Sequence, residues 1–304
     1  MLKLFSVYKR YPYRIPPRVK FFNVFRFFFK IPFLESFLIY RIGNGNSWWK
    51  KLIPPLYFYE QGTLREVRRD GINFSLDISC LINHSIFFYT LREPAWDNLL
   101  KVVKQNFKVL DIGANIGFLT LNLARACPDG FVFSFEPDSK TFKALQVNIA
   151  RNNFSNIATY QIALGEKKEQ KTLYKMYTNN PGSNRILQQS PGTHYGHEFV
   201  DVTTCDLVTD FLQITHVDLM KIDVEGFEMF VLRGAERLIQ RCKTILFVEL
   251  AEANLNQQGL SSKMLIEYIE NLNYEVRDAR TMEPVDKLKS DHHTDILCFY
   301  ISKQ

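Results

Sequence analysis

The fold of this chain is decided at residues 109–117, which read Val-Leu-Asp-Ile-Gly-Ala-Asn-Ile-Gly. The apolar start, preceded by Phe107, predicts a buried parallel strand. Gly113 permits a sharp bend and the close approach of a ligand to the backbone, and Gly117 lets the next helix pack near the strand. Asp111 places an acceptor at the carboxyl end of that strand, where open α/β sheets bind ligands. The stretch therefore predicts a strand, a ligand-binding turn and a helix.

The spacing of the glycines argues against a dinucleotide-binding turn. Such a turn reads G-x-G-x-x-G, and Asn115 stands here in place of the middle glycine. A second acid, Glu136, ends the apolar run 131–135 and suits the two hydroxyls of a ribose. With Asp111 serving the amino-acid end of a ligand and Glu136 its sugar, the cofactor predicted is S-adenosylmethionine. An NAD-dependent oxidoreductase is disfavoured.

Two further stretches carry a resemblance to a known family. Residues 217–228 read VDLMKIDVEGFE, a second strand that leads into a turn and a helix, and Gly234-Ala235 follow. Together with residues 111–117 they match the hallmarks D-x-G-A-N-x-G and K-x-D-V-E-G-x-E, so residues 89–250 resemble the FkbM family of S-adenosylmethionine-dependent methyltransferases. The resemblance implies an α/β, Rossmann-like class I methyltransferase fold with a mostly parallel seven-stranded sheet and helices on both faces. The alternation of strand and helix patterns favours the same architecture.

The second stretch also supplies the predicted catalytic pair, Asp223 and Glu225. One would take the proton of the acceptor hydroxyl and the other would orient the cofactor or the substrate. In an extended stretch both side chains point to one side, and paired carboxylates tend to have one raised pKa. Which of the two is the base stays open, and the alternative is that Glu225 and Glu228 only favour the start of the next helix.

The resemblance implies two further sets of site residues. The predicted cofactor contacts are Asp111, Gly113, Ala114, Asn115, Gly117, Glu136, Pro137, Ala163 and Asp223. The predicted substrate contacts are Glu93, Ser183 and Glu228. The family requires no metal and none is predicted, although Asp223, Glu225 and Glu249 would offer oxygen ligands to a divalent cation. Leu250-Ala251 departs from the glutamate-x-histidine often found after this strand, which puts a histidine base there in doubt.

The chemistry known for the family is mostly O-methylation of sugars and of natural products such as polyketides. It implies an O-methyltransferase that acts on a hydroxyl of a sugar, a glycolipid or another small natural product. A nucleic-acid methyltransferase is the less favoured alternative, because residues 223–226 read Asp-Val-Glu-Gly and lack an Asn/Asp-Pro-Pro-aromatic motif. A non-enzymatic membrane-associated protein on the same fold would tolerate loss of the acids, yet all of them are present.

Composition divides the 304 residues into an accessory segment, 1–62, and a methyltransferase domain, 63–304. Within the domain, 171–177 and 199–203 predict a hairpin. The polar loop 178–198 between them is the predicted substrate lid, because long loops inside compact domains are usually functional or disordered. The sequence also predicts a strand over 72–78 that pairs with 85–89. A third core strand is predicted over 157–164 and a single helix over 227–240.

Residues 1–51 differ from the rest in charge. They carry 11 Lys and Arg against one acid, Glu35, a balance of +10, whereas the remainder carries −4. Eight Phe and two Trp lie between 21 and 49, and charges interrupt every apolar run too early for a spanning helix. Three interpretations stay open: a packed helical cap, a segment on an anionic membrane surface, or, least favoured, a surface that binds RNA.

Cysteine spacing and the first residues of the sequence bear on the cellular compartment. The five cysteines are scattered without the spacing of a zinc or redox motif, which favours a reduced compartment. Residues 1–12 lack the unbroken apolar run of a signal peptide. The expectation is a cytoplasmic protein, with peripheral attachment to the inner membrane face as an option.

Overall fold

The computed structural model describes residues 16–45, 47–91, 93–287, 289 and 291–302. The prediction about residues 1–12 lies outside this part of the chain. The chain divides into two compact units, Met1–Arg92 and Glu93–Gln304. The boundary predicted at 62/63 was drawn from composition and stays a prediction.

The first unit combines helices with one hairpin. Its elements are α1 (Pro17–Phe28), α2 (Pro32–Gly43), β1 (Leu64–Arg69), β2 (Ile72–Asp77) and α3 (Leu81–Phe87), with short 3-10 turns at Ser47–Leu52 and Leu56–Phe58. Both α1 and α2 begin at a proline, whose fixed φ suits the first helical position. Of the helices that the structure describes in either unit, none has the length and apolarity needed to cross a bilayer.

The hairpin confirms one predicted strand and corrects its partner. Asp70 and Gly71 both have positive φ, as a tight hairpin turn requires, and pair β1 with β2 in antiparallel register. The predicted partner at 85–89 is wrong, because most of that stretch lies in α3 or directly after it. Its apolar residues are buried consecutively at 86–88, and an alternating strand does not bury neighbours in that way.

The second unit alternates strands and helices. Its first half contains α4 (Pro94–Val102), β3 (Lys108–Ile112), α5 (Phe118–Ala126), β4 (Phe131–Phe135), α6 (Ser139–Ala150) and β5 (Ile157–Tyr160). The middle contains β6 (Ala163–Leu164), β7 (Glu169–Tyr174), β8 (Arg185–Ile186), β9 (His197–Thr203) and α7 (Cys205–Phe211). The last part contains β10 (Leu219–Ile222), α8 (Glu228–Arg233), α9 (Glu236–Cys242), β11 (Ile245–Ala251), α10 (Glu252–Asn256), α11 (Ser262–Asn271), β12 (Tyr274–Asp278) and β13 (His293–Tyr300).

Seven of these strands form one sheet in the order β12-β13-β11-β10-β3-β4-β5. The five strands from β11 to β5 are parallel, and β13 runs antiparallel to both of its neighbours. Successive residues point to opposite faces, so Leu110 and Met220 join one hydrophobic cluster while Val109 and Leu219 join another. Helices cover both faces, and the predicted Rossmann-like methyltransferase fold is confirmed.

A smaller sheet, in the order β6-β9-β7-β8, is built from the interval between β5 and α7. Strands β7 and β9 pair antiparallel, which confirms the predicted hairpin. Strand β8 lies inside the predicted lid and pairs with β7. The third core strand is shorter than predicted, because 157–160 belong to the large sheet and 163–164 to the small one.

The helix predicted over 227–240 is also wrong as one piece. Helices α8 and α9 are separated at Gly234-Ala235. A Cβ on Gly234 would lie 1.9 Å from the carbonyl oxygen of Gly165. The backbone at Gly234 therefore passes directly against Gly165, the residue that follows β6. The interruption therefore follows from a tertiary contact that the helical pattern does not encode.

Candidate active site

Acidic side chains gather at the carboxyl ends of four neighbouring strands. Strands β3, β4, β10 and β11 are parallel, so the residues at their ends meet at one edge of the sheet. Asp111, Glu136, Asp223 and Glu249 stand at these ends. This edge of the sheet is therefore strongly acidic. Cations or protons must compensate the negative charge of the four carboxylates.

A buried lysine connects two of these strand ends. Lys221 lies beside Asp111 in the parallel register of β10 and β3. Its Nζ lies 3.3 Å from Asp111 Oδ1 and 3.6 Å from Asp223 Oδ2, and it donates to the Gly113 carbonyl at 2.7 Å. Although burial opposes the charged form, the two carboxylates raise the pKa of Lys221 above its ordinary value. The ammonium group thus stays charged and fixes the position of Asp223.

Lys221 was not among the site residues predicted from the sequence. A lysine inside an apolar strand is usually expected to face solvent. The available signal was the motif K-x-D-V-E-G-x-E, whose first residue is Lys221. The parallel register of β10 and β3, which places Lys221 opposite Asp111, is visible only in the structure.

The glycine turn serves the protein's own packing. Gly113 has φ 78°, and a Cβ there would lie 1.8 Å from the carbonyl oxygen of Asp223. Gly117 has φ 87°, and its Cβ would lie 2.5 Å from the side chain of Leu145 in α6. Both glycines therefore have a role in packing, at a neighbouring turn and at a neighbouring helix, and the predicted cofactor contacts at Gly113 and Gly117 stay predictions. Asp111 is fully buried, and its cofactor role stays a prediction.

Glu136 is held by the backbone on both sides. Its Oε2 accepts from the amide of Asn115 and its Oε1 from the amide of Asp138, each at 2.9 Å. Asn115 adopts a left-handed conformation, with φ 51°. Burial raises the pKa of Glu136 to about 7 despite these two hydrogen bonds. Each carboxylate oxygen keeps a further lone pair, so hydroxyl donors would stabilise its charged form.

Three predicted cofactor contacts are small and apolar. Ala114 is buried against Phe142 and Leu145 of α6, and Ala163 is buried in β6. Pro137 is half-buried at the start of the loop that leads into α6. None of these side chains offers a polar atom, and their roles stay predictions.

The predicted catalytic carboxylates lie together with a third. One oxygen from each of Asp223, Glu225 and Glu249 lies within 4.8 Å of the other two. Glu225 is not extended as expected but left-handed, with φ 56°, so a turn rather than a strand brings the pair together. Its Oε2 lies 3.4 Å from Arg185 Nη2 and accepts from Asn254 Nδ2 at 2.8 Å. Burial and the charge of Asp223 raise the pKa of Glu225 to about 8 although Arg185 opposes this.

Glu249, the third member of the cluster, and a further acid, Asp295, both have raised pKa values. Burial, followed by the charges of Asp223, Glu225 and Glu228, raises the pKa of Glu249 well above its ordinary value. Asp295 lies opposite Glu249 in the β11–β13 register, and burial raises its pKa to about 7. Protons therefore balance part of the charge at neutral pH. Carboxylates are also ligands of hard divalent cations, and the expectation that no metal is required stays a prediction.

The predicted substrate residues occupy different surroundings. Glu228 is buried, and its Oε1 accepts from the amides of Val224 and Gly226 at 3.2 and 2.9 Å, so it supports the turn that carries Glu225. Glu93 pairs with Arg280 at 3.1 Å, and its charge contributes to the raised pKa of Asp295. Both substrate roles stay predictions.

Ser183 of the predicted lid is buried, and its Oγ accepts a hydrogen bond from Asn180 Nδ2, also in the lid, at 2.5 Å. Two other lid residues contact the site. The next residue, Asn184, donates to Asp138 at 3.2 Å, and Arg185 reaches Glu225. Arg185 was not among the predicted site residues, although it is the single Arg or Lys between 178 and 198.

Comparisons with known proteins agree with this architecture. Residues 111–276, more than half of the chain, match the methyltransferase FkbM domain. Methyltransferase 1 of Beauveria bassiana (strain ARSEF 2860) is 30% identical, over 42% of this chain and 58% of its own length. Methyltransferase sdnD of Sordaria araneosa is 26% identical, over 42% of this chain and 60% of its own length. The chain thus spans less than two thirds of these relatives.

A solved structure, the methyltransferase FkbM from Methylobacillus flagellatus KT, is 20% identical with a TM-score of 0.46, covering 74% of this chain and 52% of its own. The fold and the acidic strand ends define a class I methyltransferase domain. The chain belongs to the FkbM methyltransferase family, as its motifs predicted.

Proposed function

We propose that this protein is an S-adenosylmethionine-dependent O-methyltransferase whose acceptor is a hydroxyl of a sugar, a glycolipid or another small natural product. The observation that carries the proposal is Glu225. It is a shielded carboxylate with a pKa raised to about 8, next to the acidic strand ends that favour a cationic cofactor. Such a carboxylate suits general-base work near neutral pH.

The residues present fit the cofactor. The free lone pairs of Glu136 suit the hydroxyls of a ribose. The side chain of Asp223 is 41% exposed at the sheet edge, so its carboxylate is accessible to an ammonium group. Bound S-adenosylmethionine would supply a methyl group already activated on a sulfonium.

The chain's own residues would then provide a base, its orientation and protection from water. Glu225 accepts the proton of the acceptor hydroxyl, while Arg185 and Asn254 hold its carboxylate in place. Lys221 pairs with Asp223, Nζ to Oδ2 at 3.6 Å, and so orients its carboxylate. The predicted lid, through Arg185, sits against the base and reduces access of water to it.

Ligand stabilisation tests the cofactor and label transfer tests the reaction. S-adenosylhomocysteine should raise the melting temperature of the full chain, since a ligand of the native state stabilises it by mass action, whereas NAD should not. Stabilisation by NAD without any by S-adenosylhomocysteine would contradict the proposal. Incubating host lysate fractions with methyl-labelled S-adenosylmethionine then identifies the fraction that contains the acceptor.

We also propose that the first unit attaches to an anionic membrane surface on the cytoplasmic side. Helix α1 buries Asn23 and turns Phe21, Phe22, Phe25 and Phe28 toward solvent. Basic residues accompany these aromatics, a composition typical of segments that lie in a membrane interface. Exposed aromatics beside basic residues support the membrane interpretation.

A further inference from the structure

We infer that Asn184 is a positioning residue: it ties the predicted lid to the loop that carries Glu136, and so couples cofactor binding to the contact between Arg185 and Glu225. The inference rests on the proposed function and concerns the regulation of the same site. Asn184 and Arg185 are consecutive residues of the lid, yet they contact different strand ends. Asn184 contacts the loop after β4, and Arg185 contacts the turn after β10.

The first contact joins the lid to the predicted ribose acid through one intermediate residue. Asp138 is buried, and its Oδ2 accepts from Asn184 Nδ2 at 3.2 Å. The backbone amide of Asp138 donates in turn to Glu136 Oε1 at 2.9 Å. Asn184 Oδ1 has no hydrogen-bond partner among the described residues, so replacing this side chain by alanine removes the bond to Asp138 alone.

Both ends of the lid are tied to the same loop. Lys175, shortly before the lid, has its Nζ 3.3 Å from Asp138 Oδ2. At the other end, Glu198 accepts from the amide and the hydroxyl of Ser139 at 3.0 and 2.8 Å. The position of the lid therefore depends on the position of the loop 136–139.

The second contact places a cation on the base. Arg185 lies opposite Tyr174 in the antiparallel register of β8 and β7, and its side chain is 12% exposed. Its Nη2 lies 3.4 Å from Glu225 Oε2. Because consecutive Cα atoms are only about 3.8 Å apart, a displacement of Asn184 also displaces Arg185. The bond from Asn184 to Asp138 thus helps to hold the guanidinium against the base.

This arrangement links the protonation of Glu225 to the cofactor. Asp223 in the same turn, Glu228 of α8 and Glu249 of β11 face Glu225 with negative charge, Asn254 of α10 donates a hydrogen bond to it, and Arg185 of β8 is the nearby cation. Burial and Asp223 raise the pKa of Glu225 to about 8, and Arg185 opposes that rise.

A cofactor bound at Glu136 would fix the loop, and Asn184 would then keep Arg185 on Glu225. Cofactor binding should therefore lower the pKa of Glu225 and release protons near pH 8. Coupling between two sites is reciprocal, so ionisation of the base should in turn strengthen cofactor binding.

Calorimetric titration of the full chain with S-adenosylhomocysteine at pH values below and above 8 tests the coupling without an acceptor. Wild-type affinity should rise about fivefold or more across this range, the lower end of typical couplings between sites. Repeating the titration in two buffers with different ionisation enthalpies should show proton release. Asn184→Ala should lose most of the rise, and Asn184→Asp should lose it too, because its carboxylate would repel Asp138.

Two comparisons separate this role from a loosened lid. Asn180→Ala is the matched control: Asn180 belongs to the same lid but donates to Ser183, so the pH dependence should remain. In an Arg185→Gln background, Asn184→Ala should have no further effect on the pH dependence, because it acts through Arg185. Glu136, with a pKa of about 7, contributes its own pH dependence in every variant, so the difference between variants isolates the lid.

Four outcomes would overturn the inference: no pH dependence in the wild type, the same rise in Asn184→Ala, the same loss in Asn180→Ala, or a further change in the Arg185→Gln background. Circular dichroism confirms the fold of each variant, and Asn184→Asp, which keeps the shape of asparagine, decides the question if Asn184→Ala does not fold. If S-adenosylhomocysteine fails to bind the wild type, the proposed function itself fails. If it binds but the variants behave alike, only the role of Asn184 falls.

Discussion

Glu225 combines a strained backbone with a crowded electrostatic environment. Its left-handed φ of 56° is uncommon for a residue with a Cβ and costs about 1 kcal/mol or more. Its carboxylate is surrounded by other acids, with Arg185 as its nearby cation. Such a conformation persists only where surrounding contacts impose it, here Asn254, Arg185 and the turn held by Glu228. Strain of this kind clusters at functional sites, which agrees with the role proposed for Glu225.

The substitution Glu225→Gln keeps the size of the side chain but removes its ability to accept a proton. A positioned base contributes typically 10²–10⁴-fold, so turnover should fall at least about 100-fold. Affinity for S-adenosylmethionine should remain near that of wild type, because the base acts mainly in the transition state. Turnover by the wild type requires the ionised carboxylate and should rise as pH passes upward through about 8, and this rise should vanish in the variant. Calorimetry and initial rates measure the two effects, and near-normal turnover would remove Glu225 from the catalytic role.

Asp223→Asn is the companion variant. Asp223 is more exposed than Glu225 and is paired with Lys221 at the strand end. If it orients the cofactor, its loss should weaken both S-adenosylmethionine binding and turnover. Loss of turnover with unchanged affinity would instead exchange the roles proposed for the two acids.

Glu136→Ala tests the ribose contact. A hydrogen bond to a charged acceptor contributes about 1.5–3 kcal/mol, so affinity for S-adenosylhomocysteine should fall roughly 10- to 150-fold. The backbone amides of Asn115 and Asp138 lose their acceptor, so circular dichroism must first show that the fold is retained. Unchanged affinity in a calorimetric titration would place Glu136 away from the ribose.

At the scale of elements, strands of the large sheet were predictable because their signal is local. Apolar runs such as 109–112 and 219–222 identify buried parallel strands without knowledge of their partners. The break at Gly234 and the helix over 81–87 were not predictable in this way, since contacts distant in sequence decide them. The acids at strand ends were found from the motifs. Their cations, Lys221 and Arg185, were missed because ion pairs between distant segments leave no periodic pattern.

Arg185 makes the lid part of the electrostatics of the base. Its charge opposes the burial and the neighbouring acids that raise the pKa of Glu225. Arg185→Gln should therefore raise that pKa further and move the rising limb of the pH–rate profile above about 8. Arg237→Gln, whose ion pairs with Asp206 and Asp210 lie on the surface, should leave the profile unchanged. An identical profile in Arg185→Gln would show that the lid does not influence the base.

At the scale of the whole molecule, charge is unevenly distributed along the chain. Residues 1–51 carry +10 and the remainder −4, so attraction to an anionic surface belongs to the first unit. Electrostatics of this kind is long-ranged but screened within a Debye length of about 8 Å at physiological salt. Aromatic insertion is short-ranged and insensitive to salt. The two contributions can therefore be measured separately on the full chain.

Vesicle flotation makes that separation. Vesicles containing phosphatidylserine should bind the protein, and rising salt should release it, because each basic residue near the surface contributes about 1 kcal/mol. Phe33 is 78% exposed on α2, and Phe33→Ser should weaken binding by up to about 10-fold at any salt concentration. The matched control is Phe211→Ser, since Phe211 is 85% exposed but lies on α7 of the second unit. Three results would contradict membrane attachment through the first unit: equal binding to neutral vesicles, no binding to either kind of vesicle, or equal losses of binding in the two variants. The aromatics of the first unit would then be interpreted as packing residues.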